Sequence, residues 1–157
     1  MKDHLNKREI IEKLTPVVEN TAMRYGLIPL EISLEKESGH WFLRIFIYNP
    51  KHPVTHEDCA SITRGLGDFL DELIPFKYYL EISSPGVDRK LKSEREYLIF
   101  KGKDVIAKLK NPVDGEHRIE GVLLDYQKGV GLNVGGNIIE LSNLASVRLN
   151  DKGDKDD

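Results

Sequence analysis

The sequence has a single cysteine, no long apolar run and little net charge, and each shortage excludes a class of protein. Cys59, alone among 157 residues, cannot form a disulfide within the chain, which fits a reducing compartment. No apolar run approaches the roughly 18 residues that cross a bilayer, and the residues after Met1 lack the apolar stretch of a secretory signal. We therefore expect a cytoplasmic protein that does not associate with membranes.

The net charge of −3 comes from 23 basic and 26 acidic side chains. Nucleic-acid-binding domains are usually clearly basic, because neutralising phosphates supplies much of their affinity. Residues 1–91 carry more acidic than basic side chains, and an acidic domain suits a basic protein partner. The charge balance thus argues against RNA as the only partner.

Hydrophobic periodicity over residues 1–91 predicts an N-terminal α+β domain. The order of its elements is α-β-β-α-β, with the helices on one face of a small sheet, as in KH-like RNA-binding folds. Thr55 lies three residues before Asp58, which predicts a capping box at the start of the second helix. Pro16 lies inside the first helical pattern, so we expect it to kink or divide that helix.

The pattern changes after residue 91. Residues 92–150 begin with a short helical segment and continue with short strands separated by turn residues, typical of an all-β SH3- or Sm-like small barrel. The predicted strands are 103–110, 117–126, 129–134, 137–141 and 145–149. Asn111-Pro112 is expected to end the first of these. The acidic tail, residues 151–157, has no apolar residue, and we expect it to be disordered.

The segment from Leu80 to Arg89 is the most informative stretch, because an alternating strand runs directly into turn-forming and charged residues. Pro85 fixes its own φ and Gly86 permits a positive φ, so the loop is suited to hold one shape. Ser83 and Ser84 lack the flanking glycines of a nucleophile elbow, and their hydroxyls are better suited to satisfy backbone groups of the turn.

Two interpretations of this loop stay open. In the first, Arg89 contacts an RNA phosphate or a partner carboxylate, with Ser84, Gly86 and Lys90 offering close backbone approach and a second charge. In the second, Asp88 and Arg89 pair with each other and fix the junction between the domains. The first makes the loop a contact site, and the second makes it a structural element.

Metal and catalytic sites have weak signatures. His52, His56 and Cys59 could be assembled into a metal site, but a fourth ligand and the tight spacing of structural zinc sites are missing. We favour Cys59 as a small buried hydrophobe beside exposed histidines. We therefore predict no metal, no cofactor and no enzymatic activity.

Lys108 and Lys110 lie on the same side of a predicted strand, because side chains alternate with a period of two. They form a small basic stripe that could follow an RNA backbone. The alternative is that they only solvate an edge strand.

Three segments resemble the RimP family of bacterial ribosome maturation factors. The string Ser83-Ser84-Pro85-Gly86-Val87-Asp88-Arg89 is similar to the hallmark of that family. The segment Thr55-His56-Glu57-Asp58-Cys59-Ala60, continuing to Leu70-Asp71, resembles its central helix. Leu141-Ser142-Asn143-Leu144, with Val147 and Leu149, resembles its closing strand. The resemblance follows the family in order and spacing over most of the chain.

The resemblance implies a non-enzymatic factor that assists assembly of the small (30S) ribosomal subunit. Such a factor binds the immature subunit and a basic ribosomal protein, with ribosomal RNA as a further contact, and we expect it to be a monomer. The alternative is a general RNA-binding module acting on messenger or small RNA. That alternative lacks the Gly-X-X-Gly loop with which KH modules clamp the nucleic-acid backbone.

Overall fold

The computed structural model describes residues 6–150, so the predicted tail 151–157 lies outside the described residues. The chain divides into two compact units, Met1–Pro85 and Gly86–Asp157. The sequence pattern predicts a domain boundary between residues 91 and 92, and the units divide between Pro85 and Gly86. Each unit is described by itself below.

In the described part of the first unit, the elements follow the order α-β-β-α-β. They are α1 Lys7–Arg24, β1 Ile28–Glu37, β2 His40–Tyr48, α2 His56–Leu73 and β3 Tyr78–Ser83. The sheet has the order β1-β2-β3, with β1 antiparallel and β3 parallel to β2. The predicted order of helices and strands is confirmed.

The core of the first unit lies between the two helices and one face of this sheet. Alternate positions of β2, namely Leu43, Ile45 and Ile47, are fully buried, as the two-residue period of a strand requires. They pack with apolar side chains at helical spacing in α1 and α2: Ile10, Leu14, Val18, Ala22, Ile62, Leu66 and Leu70. Burial of this set is the main favourable contribution to the stability of the unit.

Local sequence signals decide where the helices and the hairpin turn lie. The side chain of Thr55 accepts a hydrogen bond from the backbone N–H of Asp58, and Asp58 accepts one from the backbone N–H of Thr55 in return, which confirms the capping box. The turn between β1 and β2 has positive φ at Ser38 and Gly39, the pattern of a type I′ hairpin.

Pro16 does not divide the first helix, because α1 runs without a break from Lys7 to Arg24. The expectation of a divided helix is therefore wrong. The proline lacks the N–H that would bond to the helical turn before it. Thr15 Oγ1 donates to the carbonyl of Ile11 at 2.7 Å next to this point. The apolar face on either side of Pro16 packs into one core and holds the helix together.

The described part of the second unit begins with a short helix and continues as a β-sheet. Its elements are α3 Glu94–Ile99, β4 Asp104–Val113, β5 Glu116–Gln127, β6 Gly131–Val134, β7 Asn137–Glu140 and β8 Leu144–Leu149. The strands are antiparallel in the order β7-β6-β5-β4-β8, and a 3-10 turn, Leu141–Asn143, joins β7 to β8. The prediction of a β-rich second region is confirmed.

The first strand of this sheet is longer than the sequence pattern predicts. Asn111-Pro112 does not end β4, which continues to Val113 and pairs there with Glu116. Regular pairing is interrupted between Lys108 and Val113, so the missing N–H of Pro112 falls in the irregular stretch. The turn itself follows at Asp114-Gly115, where both residues have positive φ.

Candidate binding surfaces

The loop after β3 carries most of the predicted site residues on its surface. Ser84, Gly86, Asp88 and Lys90 are exposed. The backbone N–H of Arg89 donates to the carbonyl of Gly86 at 3.1 Å, which closes the turn. The structure therefore presents the polar groups of this loop to solvent, with Arg89 as the exception.

Arg89 forms a buried, two-pronged ion pair with Glu96. Its Nε donates to Oε1 at 3.0 Å and its Nη2 to Oε2 at 2.8 Å. The two side chains are only 8% and 5% exposed. Such a bidentate pair has high geometric specificity, and it costs desolvation energy that only good hydrogen bonds offset. This contact of the Arg89 guanidinium therefore lies within the second unit and is shielded from water.

Glu96 is the residue of this site that the sequence analysis missed. It lies at the third position of α3, after Ser93, whose hydroxyl accepts from the backbone N–H of Glu96 at 3.4 Å. This Ser-X-X-Glu spacing is the signature of a capping box, in which the glutamate would turn back to the backbone N–H of the serine. Here the carboxylate binds Arg89 and accepts from the backbone N–H of Lys92 at 3.4 Å.

The segment that follows Arg89 adds to the edge of the sheet beside β8. The N–H of Leu91 donates to the carbonyl of Val147 at 2.8 Å, and the N–H of Leu149 donates to the carbonyl of Arg89 at 2.9 Å. These bonds place Lys90 opposite Arg148 in an antiparallel bridge. The loop thereby delivers Lys90 to the outer side of the second sheet.

A group of cationic side chains lies on this outer side, and we call it the basic face: Lys90, Lys108, Lys110, Arg118 and Arg148, all exposed. The strand register brings four of them together. Lys108 is paired with Arg118 on β5 and with Ser146 on β8, and Ile106, two residues before Lys108 on the same side of β4, is paired with Arg148, which lies opposite Lys90. Lys110 is the next exposed residue after Lys108 along β4. The alternate residues Val105, Ala107 and Leu109 are buried.

The basic face holds more positive than negative charge. Glu120 pairs with Arg118, Nη2 to Oε2, at 2.6 Å. The guanidinium of Arg148 donates to the backbone carbonyl of Asp88 at 3.4 Å, a neutral acceptor. An excess of exposed cations on one side of a sheet is suited to phosphates or to carboxylates of a partner. Lys108 and Lys110 came from the sequence analysis, and the register adds Arg118 and Arg148.

Two of the three residues considered for a metal site, His52 and Cys59, are engaged in other contacts. The ring of His52 lies 3.2 Å from the side-chain nitrogen of Asn49, and Cys59 Sγ contacts the carbonyl oxygen of Ile82 at 3.6 Å. Burial raises the pKa of the Cys59 thiol, which keeps it protonated. Among residues 6–150, no three His, Cys, Asp or Glu side chains form a group that could hold a metal ion.

Asp58, next to these residues, serves the start of α2. Burial raises the pKa of its carboxyl, but hydrogen bonds from the backbone of Thr55 and from the side chains of Asn49 and Thr55 outweigh this and lower it. The carboxylate therefore stays ionised at neutral pH. A negative charge at a helix N-terminus is stabilised by the helix dipole.

The fold and these surfaces define a class: an α+β protein with a β-rich second unit, whose candidate sites are exposed binding faces. Among the helices of residues 6–150, none is long and apolar enough to span a bilayer. The model of the RimP N-terminal domain matches residues 17–88. The chain thus contains the N-terminal domain of the RimP family of ribosome maturation factors. The resemblance seen in the sequence is confirmed, and a role in ribosome maturation follows from it.

Proposed function

We propose that this protein is a non-enzymatic, cytoplasmic assembly factor that binds the immature small (30S) ribosomal subunit and a basic protein of that subunit. The observation that carries the proposal is the match of the RimP N-terminal domain over residues 17–88. It acts as a monomer and by binding alone. Such a factor favours one intermediate conformation over others by its difference in affinity for them, and the mature conformation then releases it.

The basic face is the proposed contact with ribosomal RNA. Lys90, Lys108 and Lys110 were proposed from the sequence, and the register that brings Lys90 and Lys108 beside Arg118 and Arg148 supports the proposal. Cations spread over one exposed side of a sheet suit a phosphate backbone without reading its bases. The small number of cations predicts modest, salt-dependent binding to RNA alone.

The loop before the basic face has two proposed roles, divided between its residues. The exposed Ser84, Gly86 and Asp88 are proposed to contact the subunit. Arg89 is proposed as a positioning residue, because its ion pair with Glu96 holds the following segment against β8. This assignment takes the contact role from the first interpretation of the loop. It takes the structural role of Arg89 from the second, with Glu96 as a partner of Arg89.

We also propose that the two units act as separate domains, a KH-like first domain and an SH3- or Sm-like second one. The strand order of the second sheet supports this, because β7 and β8 lie at its opposite edges and yet are joined by the short turn Leu141–Asn143. A strongly twisted sheet with such a connection is suited to curl into a small barrel.

Sedimentation of the protein with cell extract through a gradient tests the proposed function. We expect comigration with free small subunits and not with large subunits or whole ribosomes. Comigration with neither subunit, together with binding to free RNA, would contradict the proposal. That result would favour a general RNA-binding module, for which the basic face is the supporting observation.

Binding of purified small subunits at several salt concentrations tests the basic face. Lys108→Gln should weaken binding and reduce the slope of log affinity against log salt by about 0.7–0.9, the value for one lost phosphate contact. The matched control is Lys128→Gln, an exposed lysine of the same unit in the turn after β5. Equal slopes for both variants would show that the basic face does not contact RNA.

A further inference from the structure

The basic face contains two pairs of cations that lie directly opposite each other on neighbouring strands. Lys108 on β4 is paired in register with Arg118 on β5, and we call these residues the first cation pair. Lys90 is paired with Arg148 of β8 in the antiparallel bridge, and these residues form the second cation pair. All four side chains are exposed. Directly paired residues have Cβ atoms about 5 Å apart, so each pair holds two positive charges close together.

Both cation pairs are unfavourable for the folded protein by itself, because like charges directly opposite each other destabilise a sheet. Within residues 6–150, no carboxylate lies at ion-pair distance from Lys90 or Lys108. Arg118 has Glu120 as a partner at 2.6 Å, whereas Arg148 donates to a neutral carbonyl. An anion placed between the two members of a pair would replace their repulsion by attraction.

Each cation pair combines one arginine with one lysine. A guanidinium presents five N–H donors in a fixed fork that matches the oxygens of a phosphate, and an ammonium acts as a compact point charge on a flexible stem. The contacts of Arg118 with Glu120 and of Arg148 with the carbonyl of Asp88 orient each guanidinium. Because a guanidinium has five donors, these contacts leave donors for a partner. Each pair is therefore suited to one phosphate group.

The strand register also sets the distance between the two cation pairs. Ile106 lies two residues before Lys108 on β4 and is paired with Arg148, so both pairs lie on one side of the sheet. The step from the first pair to the second is two strand spacings across the sheet and two residues along it, which places their centres about 12 Å apart. Successive phosphates of one nucleic-acid strand lie closer together than this. The two pairs therefore fit two phosphates with one further phosphate between them.

The surface between the two cation pairs is uncharged. Ile106 and Ser146 lie there on the same side of the sheet, and both are half-buried. Glu120 lies opposite Ile106 on β5, and its carboxylate is paired with Arg118. An apolar side chain and a hydroxyl can contact the sugar of a nucleotide without repelling the phosphates beside it. The face is thus suited to a strand that crosses it diagonally from one pair to the other.

From this geometry we infer that the basic face binds one strand of RNA through two phosphates that are two positions apart. The first cation pair binds one of these phosphates, and the second cation pair binds the other. The inference rests on the proposed function in one respect, since it takes ribosomal RNA as the ligand of this face. It adds which cations share a phosphate and which spacing of phosphates they select. Lys110 belongs to neither pair and contributes only its charge.

Hexauridylates with neutral methylphosphonate linkages test the spacing with the full chain. Each probe keeps two charged phosphates, which are adjacent in the first probe and separated by one neutral linkage in the second. We expect the separated probe to bind about ten-fold more tightly at 0.02 M salt, because only this probe engages both pairs and one phosphate contact has a salt slope of about 0.7 for single strands. Chemical-shift titration measures such weak binding. Equal affinity for the two probes, or tighter binding of the adjacent one, would overturn the inference.

Three variants assign the two phosphates to the cation pairs. Lys108→Gln and Lys90→Gln each remove one charge from one pair, so each should reduce the preference for the separated probe to about two-fold or less. Lys110→Gln, on the same strand as Lys108, is the matched control and should weaken both probes equally. A preference that survives in both pair variants, or that Lys110→Gln also removes, would overturn the inference.

Thermal unfolding of the same variants gives a measurement that needs no RNA. Lys108→Gln and Lys90→Gln each relieve a repulsion between like charges, so neither should lower the Tm of the free protein at low salt. We expect an unchanged or higher Tm for both variants. A clearly lower Tm for both would show that the cation pairs stabilise the fold, and it would overturn the inference that they are kept for a ligand.

Two further measurements separate this inference from an acidic protein partner and from the proposed function. Capped pentaglutamate has the same charge as unmodified hexauridylate, and equally tight binding of this peptide would overturn the inference in favour of a partner with carboxylates. Comigration with small subunits is scored in parallel. A chain that comigrates with small subunits but does not distinguish the two hexauridylate probes loses only the inference. A chain that prefers the separated probe and ignores small subunits loses the proposed function.

Discussion

Each unit of the protein holds an arginine in an ion pair, Arg89 with Glu96 and Arg44 with Glu37 and Glu81, and the two clusters differ mainly in burial. In the second unit, the side chains of Arg89 and Glu96 are 8% and 5% exposed. In the first unit, the side chain of Arg44 is 27% exposed, and its partners Glu37 and Glu81 are 48% and 44% exposed. The hydrogen bonds have similar lengths in both clusters, from 2.6 to 3.0 Å.

Because of this difference in burial, a pair of arginine and glutamate serves a different purpose in each unit. A buried pair cannot reach a partner without unfolding, and loss of one member leaves an uncompensated charge in the interior. Arg89 and Glu96 therefore act within the fold, by holding the segment around Lys90 on the sheet. A half-exposed pair adds little to stability, because water screens it. Arg44 therefore contributes less to the stability of its unit than Arg89 does.

The largest expected effect comes from Arg89→Ala, which breaks the buried pair. We expect the free energy of unfolding of the second unit to fall by about 3–5 kcal/mol, because Glu96 is left buried and unpaired. Chemical denaturation followed by circular dichroism measures this loss. Replacing both members, Arg89→Met with Glu96→Leu, should cost less than the single change, because no charge is left buried.

The opposite result has a clear meaning for the loop. If Arg89→Ala left the unfolding curve unchanged and weakened binding to small subunits, Arg89 would be a contact residue and not a positioning one. Burial would then not distinguish a structural arginine from one that contacts a partner.

Arg44→Ala should have a smaller effect on stability. We expect a much smaller loss than for Arg89→Ala, since half-exposed ion pairs are screened by water and salt. Arg64→Ala is the matched control in the same unit, because Arg64 pairs with Glu57 at 2.8 Å and its side chain is 62% exposed. Both losses should shrink as salt is raised. A loss for Arg44→Ala as large as that for Arg89→Ala would remove the distinction between the clusters.

The smallest effect concerns alkaline pH and tests a contact on the covered side of the first sheet. Burial, together with the hydrogen bond from the Tyr78 hydroxyl to Asp71 at 3.1 Å, raises the pKa of Tyr78 to about 12. The fold thus favours the protonated phenol. Its contribution to stability is complete below the unfolded pKa of about 10 and is lost as the pH rises through about 12.

Ultraviolet absorbance of tyrosinate checks this prediction. Burial also raises the pKa of Tyr97 and Tyr126, so the prediction concerns the step near pH 12. That step should disappear in Tyr78→Phe and remain in Tyr25→Phe, which removes an exposed tyrosine. A step near pH 12 that persists in Tyr78→Phe would contradict the assignment to Tyr78. Between about pH 10 and about pH 12, the free energy of unfolding should decline less steeply with pH in Tyr78→Phe than in wild type.

Several features of the fold were predictable because they depend on neighbours along the chain. The capping box of Thr55 and Asp58 needs only their spacing, and the buried positions of β2 follow from strict alternation. The effect of Pro16 was not predictable in the same way. Its cost is local, but packing of the apolar side chains before and after it decides whether the helix continues.

The candidate sites also include residues that were predictable from their neighbours along the chain and residues that were not. Lys108 and Lys110 were predictable as neighbours, since they lie two residues apart on one strand. The role of Glu96 was not predictable, because its spacing from Ser93 predicts that its carboxylate contacts the backbone N–H of Ser93. The carboxylate binds Arg89 instead, because the backbone bonds beside β8 place Arg89 next to it. The half-exposed cluster of Arg44 was also missed, since the alternation of β2 does not say which residues of β1 and β3 lie beside it.

Composition, periodicity and short motifs were thus enough for the α+β class, the order of the elements in the first unit and the family. These properties depend on local backbone preferences and on which side chains avoid water, and both are readable along the chain. The basic face, the buried ion pair of Arg89 with Glu96 and the half-exposed cluster of Arg44 required the tertiary structure. Each depends on strand register and on burial, which join residues far apart in the sequence, and one step of register would move every side chain to the other face.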